Sequence, residues 1–506
     1  MNNTLFDALF APHLSKETAF LHLLDGTTLT HAAFLRMAAQ IGGVLDSIGM
    51  QAGDRLALQV DKSPEAMAVY AACVQKGVIF LPLNTAYTAS ELSYFIENSG
   101  AKLVICDPAK ETSISEITAK TGAQLLSLGV DGSGSLMDAA STQPETTTTV
   151  ARGGNDLAAF LYTSGTTGRS KGAMLSHDNL FSNAEVLKDY WRFTKDDVLL
   201  HALPIFHTHG LFVASNIMLL TGGAMIFMPA FNPDTILEQM PHATSMMGVP
   251  TFYTRLLDHD GFTKDSAAHM RLFISGSAPM LSETHEQFEA RTGQRILERY
   301  GMTETNMNTS NPYEGACKAG TVGLPLPGVE LKICDPESGA ELPQGEIGVI
   351  EVRGRNVFKG YWQMPEKTAE ELRSDGYFIT GDLGQIDDDG YVQIVGRGKD
   401  LIISGGYNIY PKEIELIIDD QPGVKESAVI GVPHPDFGES PVAIVVPEGD
   451  GPDVEQITVA CHAELARFKH PRKILICDAL PRNTMGKVQK NALRDAHATL
   501  FANKES

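Results

Sequence analysis

Short apolar runs alternate with amphipathic, helix-length stretches through the first hundred residues, and this alternation limits the fold more than any other feature of the chain. Arg55 to Val60, Val78 to Leu81 and Leu103 to Cys106 read as strands. Between them Ser63-Pro64 opens a helix that Gly77 closes, and Thr88-Ala89-Ser90-Glu91 has the form of a capping box for another. Upstream, Asp25-Gly26 reads as a hairpin turn. Thr30 then caps a helix in which Phe34, Met37, Ala38, Ile41, Val44, Leu45 and Ile48 form one apolar stripe, ended by Gly49. Repeated β-α-β units of this kind require parallel sheet covered by helices.

A chain of 506 residues exceeds what one core supports. Residues 132–154 are rich in Gly, Ser and Thr and read as a surface connection. Around residues 380 to 410 the chain becomes dense in glycine and charge, which suits a hinge. The predicted class is therefore α/β. A large N-terminal domain of layered α/β subdomains spans 1–398, and a small mobile α+β domain of two helices and several short strands spans 399–506.

The net charge of −22 argues against a nucleic-acid partner and gives no support for docking on anionic membrane. Six scattered cysteines without a C-x-x-C pair read as reduced core thiols of a cytoplasmic protein. The first residues lack the basic start and apolar run of a signal peptide, and Lys504-Glu505-Ser506 is not a peroxisomal tripeptide. Gly210 to Phe231 carries no charge, but Gly222-Gly223 interrupts it. A buried helix, a turn and a strand Ala224–Met228 fit it better than a membrane span.

Chemistry concentrates in Tyr162-Thr163-Ser164-Gly165-Thr166-Thr167-Gly168-Arg169-Ser170-Lys171-Gly172, a loop of glycines and hydroxyls between two strand-like runs. Such a loop can bring backbone N–H groups, hydroxyls and an ammonium to a polyphosphate. It lacks the Walker A spacing, and taken alone such a composition more often means only a polar hairpin turn. Four further segments accompany it: Ile296-Leu297-Glu298-Arg299-Tyr300-Gly301-Met302-Thr303-Glu304, Tyr377-Phe378-Ile379-Thr380-Gly381-Asp382, Gly396-Arg397-Gly398-Lys399-Asp400 running on to Gly405-Gly406, and Pro481-Arg482-Asn483-Thr484-Met485-Gly486-Lys487.

Together and in this order, the five segments strongly resemble the adenylate-forming superfamily of acyl-CoA synthetases, luciferases and peptide-synthetase adenylation domains. The likeness runs from the early β-α units to Lys487. It implies two half-reactions: a carboxylate attacks the α-phosphate of ATP, and the thiol of CoA then displaces AMP. By the same resemblance Thr163, Ser164, Gly165, Thr166, Thr167, Gly168 and Lys171 hold the phosphates. Glu304, with Thr166, holds Mg²⁺. Ser277, Ala278, Glu298, Tyr300, Gly301 and Thr303 surround the nucleotide, while Asp382 and Arg397 hold the ribose. Lys487 bridges carboxylate and α-phosphate, so the catalytic residues are Lys487, Glu304 and Thr166. Lys399 and Asp400 form the hinge, and Gly405-Gly406 passes the pantetheine arm of CoA; from the residues alone that glycine pair reads equally as a turn or bulge. Because Lys487 meets both substrates, it is a candidate for a lysine acetyltransferase, and acetylation would remove its charge and stop adenylation.

Arg299 is the clue to the acid. Many members carry a small residue at that place, facing the acyl pocket. A guanidinium there disfavours a fatty or aryl tail and suits a second carboxylate. The alternative is an Arg299–Glu298 pair on the strand surface. His207, Thr208, Ser277 and Met307 complete the expected acyl site, and malonate fits it best. The other readings are methylmalonate, a small monocarboxylic or aryl acid, and adenylation that loads a carrier protein.

Overall fold

Capping residues set the early helices. Thr30 accepts the Ala33 N–H at the head of His31–Ser47, and Ser63 does the same for Ala66 at the head of Pro64–Lys76. Gly77 closes the latter helix at φ +69°, where a side chain would be strained. The Glu91 carboxylate takes the Thr88 N–H at 2.9 Å, and the Thr88 hydroxyl takes the Glu91 N–H at 3.3 Å. This reciprocal pair is the expected capping box of Ala89–Ser99. The computed structural model describes residues 2–502 apart from 164–169, 278, 279, 281, 337, 398–401, 410, 450 and 482–487.

The β-α-β units build the predicted parallel pairing, which joins the first five strands of one sheet. Its six strands run in the order Gln124–Ser127, Leu103–Cys106, Arg55–Gln59, Ile79–Pro82, Leu157–Thr163 and Lys171–Ser176. A second, nine-stranded sheet has a parallel centre of Ile296–Met302, Leu272–Ser275, Ser245–Gly248, Val198–His201, Ala224–Phe227 and Ala19–His22. The helix Pro64–Lys76 is buried from Ala66 to Lys76. A helix enclosed on every face belongs inside the layered core, and Leu56, Phe80, Phe20 and Leu199 from the two sheets join the same apolar cluster. An antiparallel sheet of Val329–Cys334, Gly348–Gly354, Phe378–Ile386 and Val392–Arg397 follows.

The chargeless stretch folds as a buried π-helix His209–Ser215, an α-helix Asn216–Thr221, a left-handed turn at Gly222 and the strand Ala224–Phe227. Among the described residues no helix is long and apolar enough to cross a membrane. Two expectations need correction. Residues 132–154 are not all connection: Ser135–Ala140 is a helix that buries Leu136 and Ala140. One apolar pair four residues apart is too little periodicity to detect. Among the described residues the C-terminal part holds three α-helices rather than two, Pro411–Asp419, Val454–Glu464 and Lys490–His497. Its central strands Val424–His434 and Gly438–Pro447 are long, at 11 and 10 residues.

The chain forms two compact units: Met1–Thr85 with Ile96–Leu161 and Gly172–Val395, and Ala86–Phe95 with Tyr162–Lys171 and Gly396–Ser506. Within the second unit, the Lys469 ammonium lies 2.6 Å from Glu91 and 2.9 Å from Glu413, with all three side chains largely enclosed.

Candidate active site

Parallel strands end at one edge of their sheet, and side chains just beyond those ends converge. His207 and Thr208 follow Val198–His201, Ser277 follows Leu272–Ser275, and Arg299 to Gly301 lie in the last part of Ile296–Met302. The sheet pairing alone therefore brings the predicted acyl residues to one edge.

Successive residues on a strand face opposite ways, which separates Glu298 from Arg299. The Glu298 carboxylate accepts the Met280 N–H at 3.3 Å and lies 3.5 Å from His285. The Arg299–Glu298 pair considered above does not form. Arg299 is instead 3% exposed, and its guanidinium packs on Gly276, where an added Cβ would sit 2.4 Å from Cζ. Its Nη2 donates to the Ser277 hydroxyl at 3.4 Å, and that hydroxyl is 3.3 Å from Nδ1 of the buried His209. Ser277 holds φ +70°, an uncommon conformation for a residue with a side chain. Burial pulls Arg299 down to about 9. Burial, and next the charge on Arg299, pull His209 well below the usual histidine value. Among the described residues no carboxylate reaches Arg299, and its Nε has no hydrogen-bond partner. A guanidinium desolvated this far without a counter-ion favours an anion supplied from outside.

Tyr300, one residue on, donates to Asp382 Oδ2 at 2.6 Å, and Asp382 is 2% exposed. The residues expected at the adenine and the ribose thus touch. Gly301 starts the tight reversal into Asn306–Ser310, and a Cβ there would lie 1.8 Å from the Asn306 carbonyl. Thr303 lies in that turn, and Met307, 2% exposed, is in the returning strand. Glu304 is buried beside Tyr361, whose hydroxyl is 3.0 Å from Glu304 and 2.6 Å from Glu371. Burial first, and then both carboxylates, push the Tyr361 phenol up, so it keeps its proton for them.

A family model described as AMP-binding enzyme matches residues 11–362, and one for the AMP-binding enzyme C-terminal domain matches residues 413–487. The chain belongs to the AMP-binding enzymes. The ATP-bound MatB structure from Rhodopseudomonas palustris is 57% identical, covers 99% of this chain and 100% of its own, and superposes with a TM-score of 0.79. A malonyl-CoA ligase ternary product complex with methylmalonyl-CoA and AMP bound is 36% identical over 95% of this chain and 99% of its own, at a TM-score of 0.79. A feruloyl-CoA synthase of Amycolatopsis is also 36% identical, over 96% of each chain. AMP-binding enzymes at equal identity thus carry names for different acids, and the acid must be read from the pocket.

Other predicted positions of this AMP-binding enzyme are placed less fully. Thr163 ends the strand Leu157–Thr163, and Lys171, 5% exposed, begins Lys171–Ser176. Residues 164–169, Ala278, Lys399, Asp400 and Lys487 lie outside the described residues, as does the side chain of Arg397. Gly405 and Gly406 form the two-residue turn between Ile402–Ser404 and Tyr407–Ile409 at φ +57° and +82°. That turn by itself demands glycine. Thr208 is buried, with no partner for its hydroxyl among the described residues, whereas His207 is exposed. Sequence reasoning missed His209, Tyr361 and Glu371. His209 stands directly after a predicted position, Thr208, but no local pattern marks the other two.

Proposed function

We propose that this chain is an AMP-forming acid–thiol ligase that converts malonate, ATP and CoA to malonyl-CoA, AMP and pyrophosphate. One malonate carboxylate attacks the α-phosphorus of ATP, the bond to the β-phosphate oxygen breaks, and pyrophosphate leaves. The CoA thiol then attacks the acyl carbon of malonyl-AMP and loses its proton as AMP departs. The observation that carries the choice of acid is Arg299, enclosed and without a carboxylate of its own among the described residues. It suits the distal carboxylate of a short diacid, with Ser277 and His209 beside it, while Thr208 and Met307 limit chain length. The likeness to a malonyl-CoA ligase supports the same reading.

In this reading Tyr300 offers its ring to adenine and Asp382 accepts from the ribose, joined by Arg397. Thr163, Thr166, Lys171 and their neighbours hold the phosphates. Positioning and charge neutralisation are most of what such a transfer requires. Glu304 is a hard oxygen donor and fits Mg²⁺, with Thr166 as its companion; the ion would supply charge neutralisation at the phosphates. Lys487 serves adenylation. The small domain 399–506, hinged at Lys399 and Asp400, brings Gly405-Gly406 to the thioester step. Acetylation of Lys487 would switch off the first half-reaction. The setting is the cytoplasm, in keeping with six free thiols.

Methylmalonate is the second acid, because one methyl carries only ~1–3 kcal/mol of discrimination and a malonyl-CoA ligase holds methylmalonyl-CoA. The test is pyrophosphate release and CoA-thioester formation across a panel of malonate, methylmalonate, acetate and ferulate. Malonate should give the highest kcat/KM. Preference for acetate or ferulate would overturn the assignment.

A further inference from the structure

Lys62 presents an unusual arrangement. Its ammonium donates to His201 Nδ1 at 2.8 Å, to the His201 carbonyl at 2.7 Å and to the Leu203 carbonyl at 3.0 Å. It also lies 4.3 Å from the centre of the Phe227 ring. Three acceptors satisfy three N–H donors, and no carboxylate reaches Lys62 among the described residues. Because Nδ1 of His201 accepts, the neutral ring carries its proton on Nε2. That nitrogen is 2.9 Å from the Gly210 carbonyl and 3.1 Å from the Ser215 hydroxyl. Ser215 also donates to the Gly210 carbonyl at 2.8 Å.

These bonds grip both ends of one segment. Lys62 holds the carbonyls where Ala202–His209 leaves the sheet, and His201 holds Gly210 and Ser215 where the segment enters the π-helix His209–Ser215. The segment packs so tightly that a Cβ on Gly210 would lie 2.1 Å from the Pro204 carbonyl. π-Helical turns are rare and often accompany functional sites. This one carries His209, which bonds to Ser277 beside Arg299.

We propose that Lys62 and His201 are positioning residues that clamp the segment Ala202–His209 and thereby set the shape of the acid pocket. Neither touches substrate. The clamp acts through the backbone that places His207, Thr208 and His209. The inference rests on the acid-pocket reading given under Proposed function.

The test compares Lys62→Met, Lys62→Ala and Ser215→Ala with the wild-type enzyme, using separate KM values for the acid and for ATP. Ser215→Ala removes one hydroxyl from the clamp and keeps the core filled, so it reports even if the Lys62 variants do not fold. The clamp predicts an acid KM raised at least tenfold in Lys62→Met and about threefold in Ser215→Ala, with ATP KM within twofold. It also predicts a reduced malonate-to-methylmalonate ratio, and partial recovery of the acid KM in Lys62→Ala when ethylammonium is added. A Ser215→Ala enzyme with unchanged acid KM and ratio, or Lys62 variants whose acid and ATP KM rise together, would overturn the clamp. The wild-type acid panel separates the two failures. If another acid is preferred, malonate falls, and the clamp is judged by the same KM ratio measured with that acid.

Discussion

Arg299 is held in its charged form against the cost of burial, and that cost has a measurable signature. Its proton is bound less tightly in the fold than in the open chain, with a value near 9. The charge needed for the distal carboxylate is therefore present below that pH and lost above it. We expect kcat/KM for malonate to be level from about pH 7 to 8.5 and to fall above about 9, while kcat/KM for ATP stays level there. The sign for stability is opposite. The unfolded arginine binds its proton more tightly, so this group's penalty on folding shrinks as pH rises through the same value. Tyr300 and Asp382 make a second residue-scale claim. Tyr300→Phe removes the donor at 2.6 Å and leaves a buried carboxylate short of one bond. A hydrogen bond to a charged group contributes about 1.5–3 kcal/mol, so ATP KM should rise about tenfold or more in steady-state assays. An unchanged ATP KM would mean that the pair lies away from the nucleotide.

At the scale of elements, much was legible because it depends on local chemistry. Thr30, Ser63 and the Thr88–Glu91 box marked helix starts, and Gly49, Gly77 and Gly222 marked ends, since each role follows from backbone geometry alone. Ser135–Ala140 escaped notice because one buried pair leaves no periodic trace. The order of strands in the nine-stranded sheet was not legible either, since Ala19–His22 pairs with a strand some two hundred residues later. Gly301 joins sequence to geometry. Its missing side chain lets the chain turn back at Asn306, with 1.8 Å available where a Cβ would sit. Gly301→Ala should destabilise the protein by about 1–3 kcal/mol, the usual cost of overpacking, read from the urea midpoint. It should also lower kcat/KM for ATP, because Tyr300 and Glu304 flank the turn.

For the whole molecule, the motifs named the chemistry but could not tell which side chains meet. Arg299 turns toward Ser277 because its strand alternates, while the carboxylate of Glu298, next to it, faces Met280 and His285. His209, Tyr361 and Glu371 had no motif to announce them, and His209 meets Ser277 and Tyr361 meets Glu304 from segments far apart in sequence. The second unit carries its own long-range test. Lys469 stands between Glu91 and Glu413 in an enclosed triad. Lys469→Met would leave two buried carboxylates facing each other, and breaking such a pair costs about 3–5 kcal/mol. Unfolding curves should show that loss at neutral pH and a smaller one in acid, because burial already raises the Glu413 carboxyl and its protonation removes one of the facing charges. The central claim, that a buried guanidinium selects a short diacid, is tested most directly by assaying malonate, methylmalonate and acetate with the wild type and Arg299→Ala at saturating ATP. The account predicts a fall in malonate kcat/KM of a hundredfold or more, acetate unchanged or improved, and ATP KM within twofold of the wild type. A variant that still prefers malonate over acetate by the wild-type margin would contradict it.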